Sequence, residues 1–216
     1  MEALAAEADP PTTVSEPAEA IDVHVADSLS GLQAEALPRA RRVADIGAGA
    51  GFPGLVLAVA LPDAQVDLVE SGRRKIEVIV RLAAAAGVEN ARAVPSRAEE
   101  WAAAEGAEAY DAVTARALAA LPVLVEYAAP LLRRGGSLVA WKGARDETEE
   151  RAGRAAAAEL GLEAADPVRV EPFPAARDRH LHVFRKVAAT PAGFPRRAGM
   201  ARKRPLGGAG VGKTAQ

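Results

Sequence analysis

The 216-residue chain contains no cysteine, which excludes disulfides, thiolate zinc sites and cysteine nucleophiles at once. Aromatic residues are scarce, with two Trp, two Tyr and four Phe, so Ala-rich helices are expected rather than an aromatic-lined binding sandwich. No apolar run approaches the roughly 18 residues that a membrane span requires. The opening "MEALAAEADPPTTVSEPAEA" carries acids where a secretory leader needs basic residues, and it has no apolar core. These absences lead to the expectation of a soluble, cytoplasmic protein without a membrane partner. The length suits one α/β domain with extensions.

Each end of the chain also lacks one sign of charge. Before Arg39 there is no Lys or Arg, and after Asp178 there is no Asp or Glu. Arg179, Arg185, Lys186, Arg196, Arg197, Arg202, Lys203, Arg204 and Lys213 fill that basic end, a division that the net charge of −2 conceals. Such an end either displaces counterions from a nucleic-acid backbone or only keeps the chain in solution.

Three regions are expected: a disordered segment over residues 1–16, a folded domain over 17–189 and a basic, flexible tail over 190–216. Within the domain a helix is predicted over residues 17–37, stopped by Pro38. Strand and helix then alternate. "RRVADIG", "AQVDLVE", "ARAVPS", "YDAVTAR" and "GGSLVAWKG" read as strands. Between them, "FPGLVLAVAL", "SGRRKIEVIVRLAAAAG" with Ser71 as N-cap, "SRAEEWAAAEG" with Ser96 and Glu99 as a capping box, and "ALAALPVLVEYAAPLL" read as helices. A polar helix, "RDETEERAGRAAAAELG", precedes a closing antiparallel pair, "DPVRVEPF" and "HLHVFRKV". The pattern predicts a Rossmann-like α/β fold: a mostly parallel seven-stranded sheet, one antiparallel strand and helices on both faces.

Four glycines crowd the turn after the first strand in "DIGAGAGFPG". Gly47, Gly49 and Gly51 spell G-x-G-x-G, which suits an adenosyl cofactor, whereas Gly49, Gly51 and Gly54 spell the dinucleotide pattern G-x-G-x-x-G. Glu70 follows about 20 residues later, where a carboxylate accepts hydrogen bonds from a ribose diol in either kind of site. The chain carries no second glycine fingerprint for a nicotinamide half. The closing hairpin likewise favours a methyltransferase sheet, so the reading settles on S-adenosyl-L-methionine, with Gly54 packing a helix.

The acceptor is narrowed by omission. Methylation at pyrimidine carbon-5 needs a cysteine nucleophile. Amino methylation of a base uses an Asp/Asn-Pro-Pro-Tyr turn after strand four, where this chain has "DAVTARAL". A ring nitrogen with a free in-plane lone pair, such as guanine N7, needs neither and demands chiefly alignment.

The stretches "HVADSL", "DIGAGAGFPGLVLA", "LVESGRRKIEVI", "SRAEE", "DAVTARALAAL", "LVAWKG", "RHLHVFRK" and "FPRRAGMARKRPLG" together resemble the bacterial 16S rRNA guanine-N7 methyltransferase family (RsmG/GidB). The resemblance implies a class I methyltransferase fold, guanine 527 of 16S rRNA as target and the small ribosomal subunit as partner. It implies cofactor contacts at Gly47, Phe52 (where Leu is more usual), Ala98, Glu99 and Arg116, beside Gly49, Gly51 and Glu70 from the loop reading. Arg116 and Lys142 are candidates for positioning the reactants, no catalytic base being assigned. Arg97, Lys142, Arg179, Arg196, Arg197, Arg202, Lys203 and Arg204 are candidates for RNA contact. His24 is read as a helix residue bonded to Asp27 or Ser28, and Trp101 and Trp141 as packing residues. No metal site is expected, and the chain is expected to act as a monomer. One departure from the family is a shortened N-terminus: only 23 residues precede His24, charged only by acids, in place of a longer helical segment, with Val23 where Arg is common. A different RNA, small-molecule or protein substrate, or RNA binding without catalysis, are the alternatives left open.

Overall fold

Five consecutive strands form the parallel part of the sheet. They are β1 (Arg42–Ile46), β2 (Gln65–Glu70), β3 (Ala91–Pro95), β4 (Tyr110–Arg116) and β5 (Leu132–Lys142), in the spatial order β3-β2-β1-β4-β5. The central ones are covered on both faces, so β1 and β4 read as nearly unbroken buried runs. The computed structural model describes residues 1–7 and 17–207. Beyond β5 the sheet is completed by β6 (Leu162–Ala164), β7 (Val168–Val170) and β8 (Arg179–Lys186). β8 pairs antiparallel with β5, and β6 and β7 each pair antiparallel with β8, so β8 alone opposes the rest.

The expected seven positions and single reversed strand are therefore present, but eight strands fill them. β6 and β7 are two short pieces lying along the same partner. Only the second piece is legible in the sequence, where Val168 and Val170 flank Arg169 in a β-branched alternation that Leu162–Ala164 lacks.

The described helices are α1 (Glu2–Ala5), α2 (Pro17–Ala20), α3 (Asp27–Leu29), α4 (Gly54–Ala60), α5 (Arg73–Ala85), α6 (Ala98–Ala102), α7 (Leu121–Ala128), α8 (Glu147–Glu159) and α9 (Met200–Lys203). One core gathers Leu4, Leu57, Val78, Ile79 and Leu82 from α1, α4 and α5. The other gathers Trp101, Leu121, Leu124, Tyr127 and Ala156 from α6, α7 and α8.

Several predicted boundaries move, each for a local reason. The helix expected over residues 17–37 is a composite of α2, a π-helical stretch Ile21–Ala26, α3 and a 3-10 turn Ser30–Gln33. The Ser28 hydroxyl donates to the His24 carbonyl and that of Ser30 to the Asp27 carbonyl, competing with regular helix bonding. Gly31 meanwhile lies flat against the Trp141 ring. Gly72, not Ser71, occupies the N-cap of α5, and Arg97 that of α6 without a side-chain bond. The capping box is absent because Ser96 donates to the Arg97 carbonyl and Glu99 accepts from Gly199. Helix α7 starts at Leu121 with Pro122 in its first turn, leaving 117–120 as a loop.

The terminal segments are ordered where they are described. Leu4 is buried and Glu7 pairs with Arg81, while the expected disorder over residues 8–16 lies outside the described residues. From the basic tail, Phe194 and Leu206 pack on the core and Ala201 is buried, whereas residues 208–216, including Lys213, lie outside.

Candidate active site

The strand order reverses direction of growth at β1, which has β2 on one side and β4 on the other. In such sheets a crevice opens at the carboxyl ends of the strands. Here it is a cavity of about 630 Å³. Its floor is the glycine loop. Gly47 has φ +66, and a Cβ there would stand 2.5 Å from a Leu118 methyl, so the position needs glycine on both counts.

Glu70, at the end of β2, is the loop's anchor. Its Oε2 accepts the Gly49 N–H at 3.1 Å and its Oε1 accepts the Gly72 N–H at 2.8 Å, with Lys75 Nζ 3.7 Å from Oε2. Each carboxylate oxygen has two lone pairs, so both retain capacity toward the cavity that Glu70 lines. Beneath the loop, Asp45 Oδ1 accepts from the Thr114 hydroxyl and Oδ2 from the Gly54 N–H, each at 2.9 Å. Complete burial pushes the Asp45 carboxyl up to about 6, against the pull of those two bonds. A Cβ on Gly54 would stand 2.8 Å from Asp45 Oδ2, so Gly54 packs α4 rather than facing the cavity.

Of the residues read as cofactor contacts, Gly47, Gly49, Phe52, Glu70, Ala98, Glu99 and Arg116 all line the cavity. Gly51 does not. At φ +98 it turns its backbone toward Leu55, 2.6 Å from a would-be Cβ, and it serves the turn itself. Arg116 is committed more than expected: its Nη1 donates to Asp27 Oδ2 and to the Val23 carbonyl, both at 2.8 Å. Asp27 Oδ1 faces Arg179 Nε at 3.9 Å. Neither of those two buried atoms has a hydrogen-bond partner among the described residues.

The basic candidates divide. Arg97 and Arg202 line the cavity, and Arg197, Lys203 and Arg204 are exposed. Lys142 lies outside the cavity lining, its Nζ 2.7 Å from Glu149 Oε1 on α8. Arg196 is paired as well, its guanidinium meeting both carboxylate oxygens of buried Glu126 and the Arg204 carbonyl at 2.8 Å. Both cations meet acids on neighbouring helices, an outcome that sequence spacing does not disclose.

His24, read from the sequence as a helix residue bonded to a neighbour, also lines the cavity, its ring stacked on Phe52 with centroids 4.6 Å apart. Burial first, and then Arg116, hold the imidazole down to about 4, so it is neutral at neutral pH. Lys75, Leu118 and Tyr127 also line the cavity. Trp101 donates to the Tyr110 hydroxyl, which donates to Asp67, each at 2.7 Å. Trp141 donates to the Asp27 carbonyl at 2.9 Å.

Residues 11–181 match the family described as rRNA small subunit methyltransferase G. Ribosomal RNA small subunit methyltransferase G of Rubrobacter xylanophilus is 43% identical over 199 residues, spanning 90% of this chain and 76% of the relative. The protein of the same name from Deinococcus radiodurans is 43% identical over 187 residues, spanning 85% and 73%. Among solved structures, a predicted O-methyltransferase from Agrobacterium tumefaciens superposes with a TM-score of 0.57 at 26% identity, covering 76% of this chain and 81% of its own. Fibrillarin of Aeropyrum pernix, solved with S-adenosyl-L-methionine, shares the fold with a TM-score of 0.57 at 19% identity over 74% and 72%.

Proposed function

Because the chain belongs to the rRNA small subunit methyltransferase G family, we propose that it methylates N7 of guanine 527 in 16S rRNA, using S-adenosyl-L-methionine. The observation that carries the reading is the convergence of Gly47, Gly49, Glu70, Ala98, Glu99 and Arg116 on one cavity. The residues fit an adenosyl ligand. Glu70 holds the loop with one N–H on each oxygen and keeps lone pairs for a ribose diol. At Gly47 bare backbone forms the floor, where a side chain would collide with Leu118.

The cofactor supplies an electrophilic methyl group on a sulfonium. Guanine N7 would form its bond to the methyl carbon with its own lone pair as the sulfur–methyl bond breaks and the neutral thioether leaves, so no side chain would have to remove a proton first. The cavity's acids suit that economy, since Glu70 and Glu99 are already engaged by backbone N–H groups. The methylated purine is a cation, and Arg116 beside it has its charge balanced by Asp27. His24 adds no charge at neutral pH. Arg97 on the cavity lining and exposed Arg197, Lys203 and Arg204 on the outside supply cations for the RNA backbone. Arg179 beside Asp27 is a further candidate for contact with the target strand.

The test is transfer of labelled methyl to small subunits from cells lacking the mark, followed by mapping of the product. Label at guanine N7, lost in Glu70→Ala and weakened by rising salt, is expected. Label on another RNA position, or transfer to a small molecule alone, defeats the assignment of the target.

A further inference from the structure

The C-terminal segment touches the cavity from outside the sheet. Glu99, in the first turn of α6, is buried and lines the cavity, and its Oε1 accepts the Gly199 N–H at 2.8 Å. Three residues on, Arg202 Nη2 donates to the Leu118 carbonyl at 2.8 Å. Leu118 is the side chain that abuts the bare Cα of Gly47. Arg202, Leu118 and Tyr127 all line the cavity. The segment is fixed behind these contacts by the Arg196–Glu126 pair and by buried Ala201. Its outer side presents Arg197, Lys203 and Arg204 to solvent.

We propose that residues 196–204 are a wall of the cofactor cavity, with Arg202 and the Gly199 amide as positioning groups, so that docking of this segment and occupancy of the cavity are thermodynamically linked. The inference rests on the cavity being the S-adenosylmethionine site. Two routes carry the linkage. The Gly199 N–H fixes the carboxylate of Glu99 with a charge-assisted bond, leaving its other oxygen a defined direction. Arg202 pins the loop at Leu118, and Leu118 in turn backs the glycine floor at Gly47. A ligand that presses on Glu99 or on that floor meets a surface whose shape the segment sets. Linkage is reciprocal: a phosphate backbone settling on Arg197, Lys203 and Arg204 stabilises the docked segment and thereby tightens the hold on the cofactor.

The experiment uses the full chain, with calorimetric binding of S-adenosylmethionine and amide hydrogen exchange over residues 196–204 in its presence and absence. In the wild type, saturating cofactor is expected to slow exchange across the segment by roughly tenfold or more. Arg202→Ala is expected to bind roughly tenfold more weakly, with Arg202→Lys recovering part of the loss. Exchange unchanged in a wild type that does bind the cofactor overturns the inference, as does Arg202→Ala binding within about twofold of wild type. A wild type that binds no S-adenosylmethionine overturns the cofactor reading itself, a separate result. The exchange measurement needs no variant, so a poorly folding Arg202→Ala does not shield the proposal.

Discussion

The two ends of the chain carry opposite charge, and each directs part of it inward. The acidic end sends Glu7 to Arg81 and Asp27 to Arg116, so it holds the cavity's arginine. The basic end sends Arg196 to Glu126 and the Gly199 amide to Glu99, so it holds an acid of the cavity. Lys186, fully buried, donates to Glu108 and to the carbonyls of Ala129 and Leu132 at 2.7–2.9 Å. A charge asymmetry that suggested a nucleic-acid tail is thus divided between internal pairing and surface. The exposed remainder from the tail, Arg197, Lys203 and Arg204, is where an RNA contribution should be sought.

The largest effect should come from breaking the basic end's clamp. Arg196→Ala leaves the Glu126 carboxylate buried and unpaired, and about 3–5 kcal/mol of stability should be lost in chemical denaturation. A loss of under about 1 kcal/mol would mean that the pair is an ornament of the surface.

Asp45 is the buried acid that neither end reaches, and it sharpens the comparison through pH. Its folded pKa of about 6 lies above the ordinary 3.8. Below pH about 4 the carboxyl is protonated folded and unfolded alike, and its stabilising contribution is fully present. That contribution is lost as pH rises through 6. Asp45→Asn, which can still accept from Gly54 and meet Thr114, should gain up to about 3 kcal/mol relative to wild type between pH 4 and 6. His24, depressed to about 4, slopes the opposite way: its contribution is present above 6.5 and lost on acidification. The two proteins must therefore be compared at each pH, and parallel curves would refute the role given to Asp45.

At the acidic end, Asp27→Ala frees Arg116 from its carboxylate, and about 2 kcal/mol of stability should go with it. Methyl transfer should fall chiefly in kcat, since Arg116 keeps only the Val23 carbonyl to orient it. A change confined to KM would make Asp27 a binding residue instead. At the bottom of the scale, Arg73→Ala removes an exposed i,i+4 pair with Glu77 that belongs to neither end. No measurable shift of the denaturation midpoint is expected.

What the sequence disclosed is what is local. Glycine density after β1, the acid at the end of β2 and the alternation of strand and helix all act over short spans, and each left a readable trace. The misses are long-range. Arg196 meets Glu126 across 70 residues, Arg116 meets Asp27 across 89, and Gly199 meets Glu99 across 100. No periodicity records such partners, so the sequence gives no sign that Arg196 is paired. Ser71 and Ser96 had the right chemistry for caps, but Glu70 and Glu99, bound elsewhere, decided how those turns close.

Only two indoles are present, and they sit in different places. Trp101 is locked to Tyr110, whereas Trp141 reaches across the seam to the carbonyl of Asp27 and, at 3.2 Å, to the hydroxyl of Ser30. A Trp101→Phe protein therefore carries a single fluorophore placed where the acidic segment meets the sheet. Its emission wavelength becomes a label-free report on the packing of that segment against the sheet.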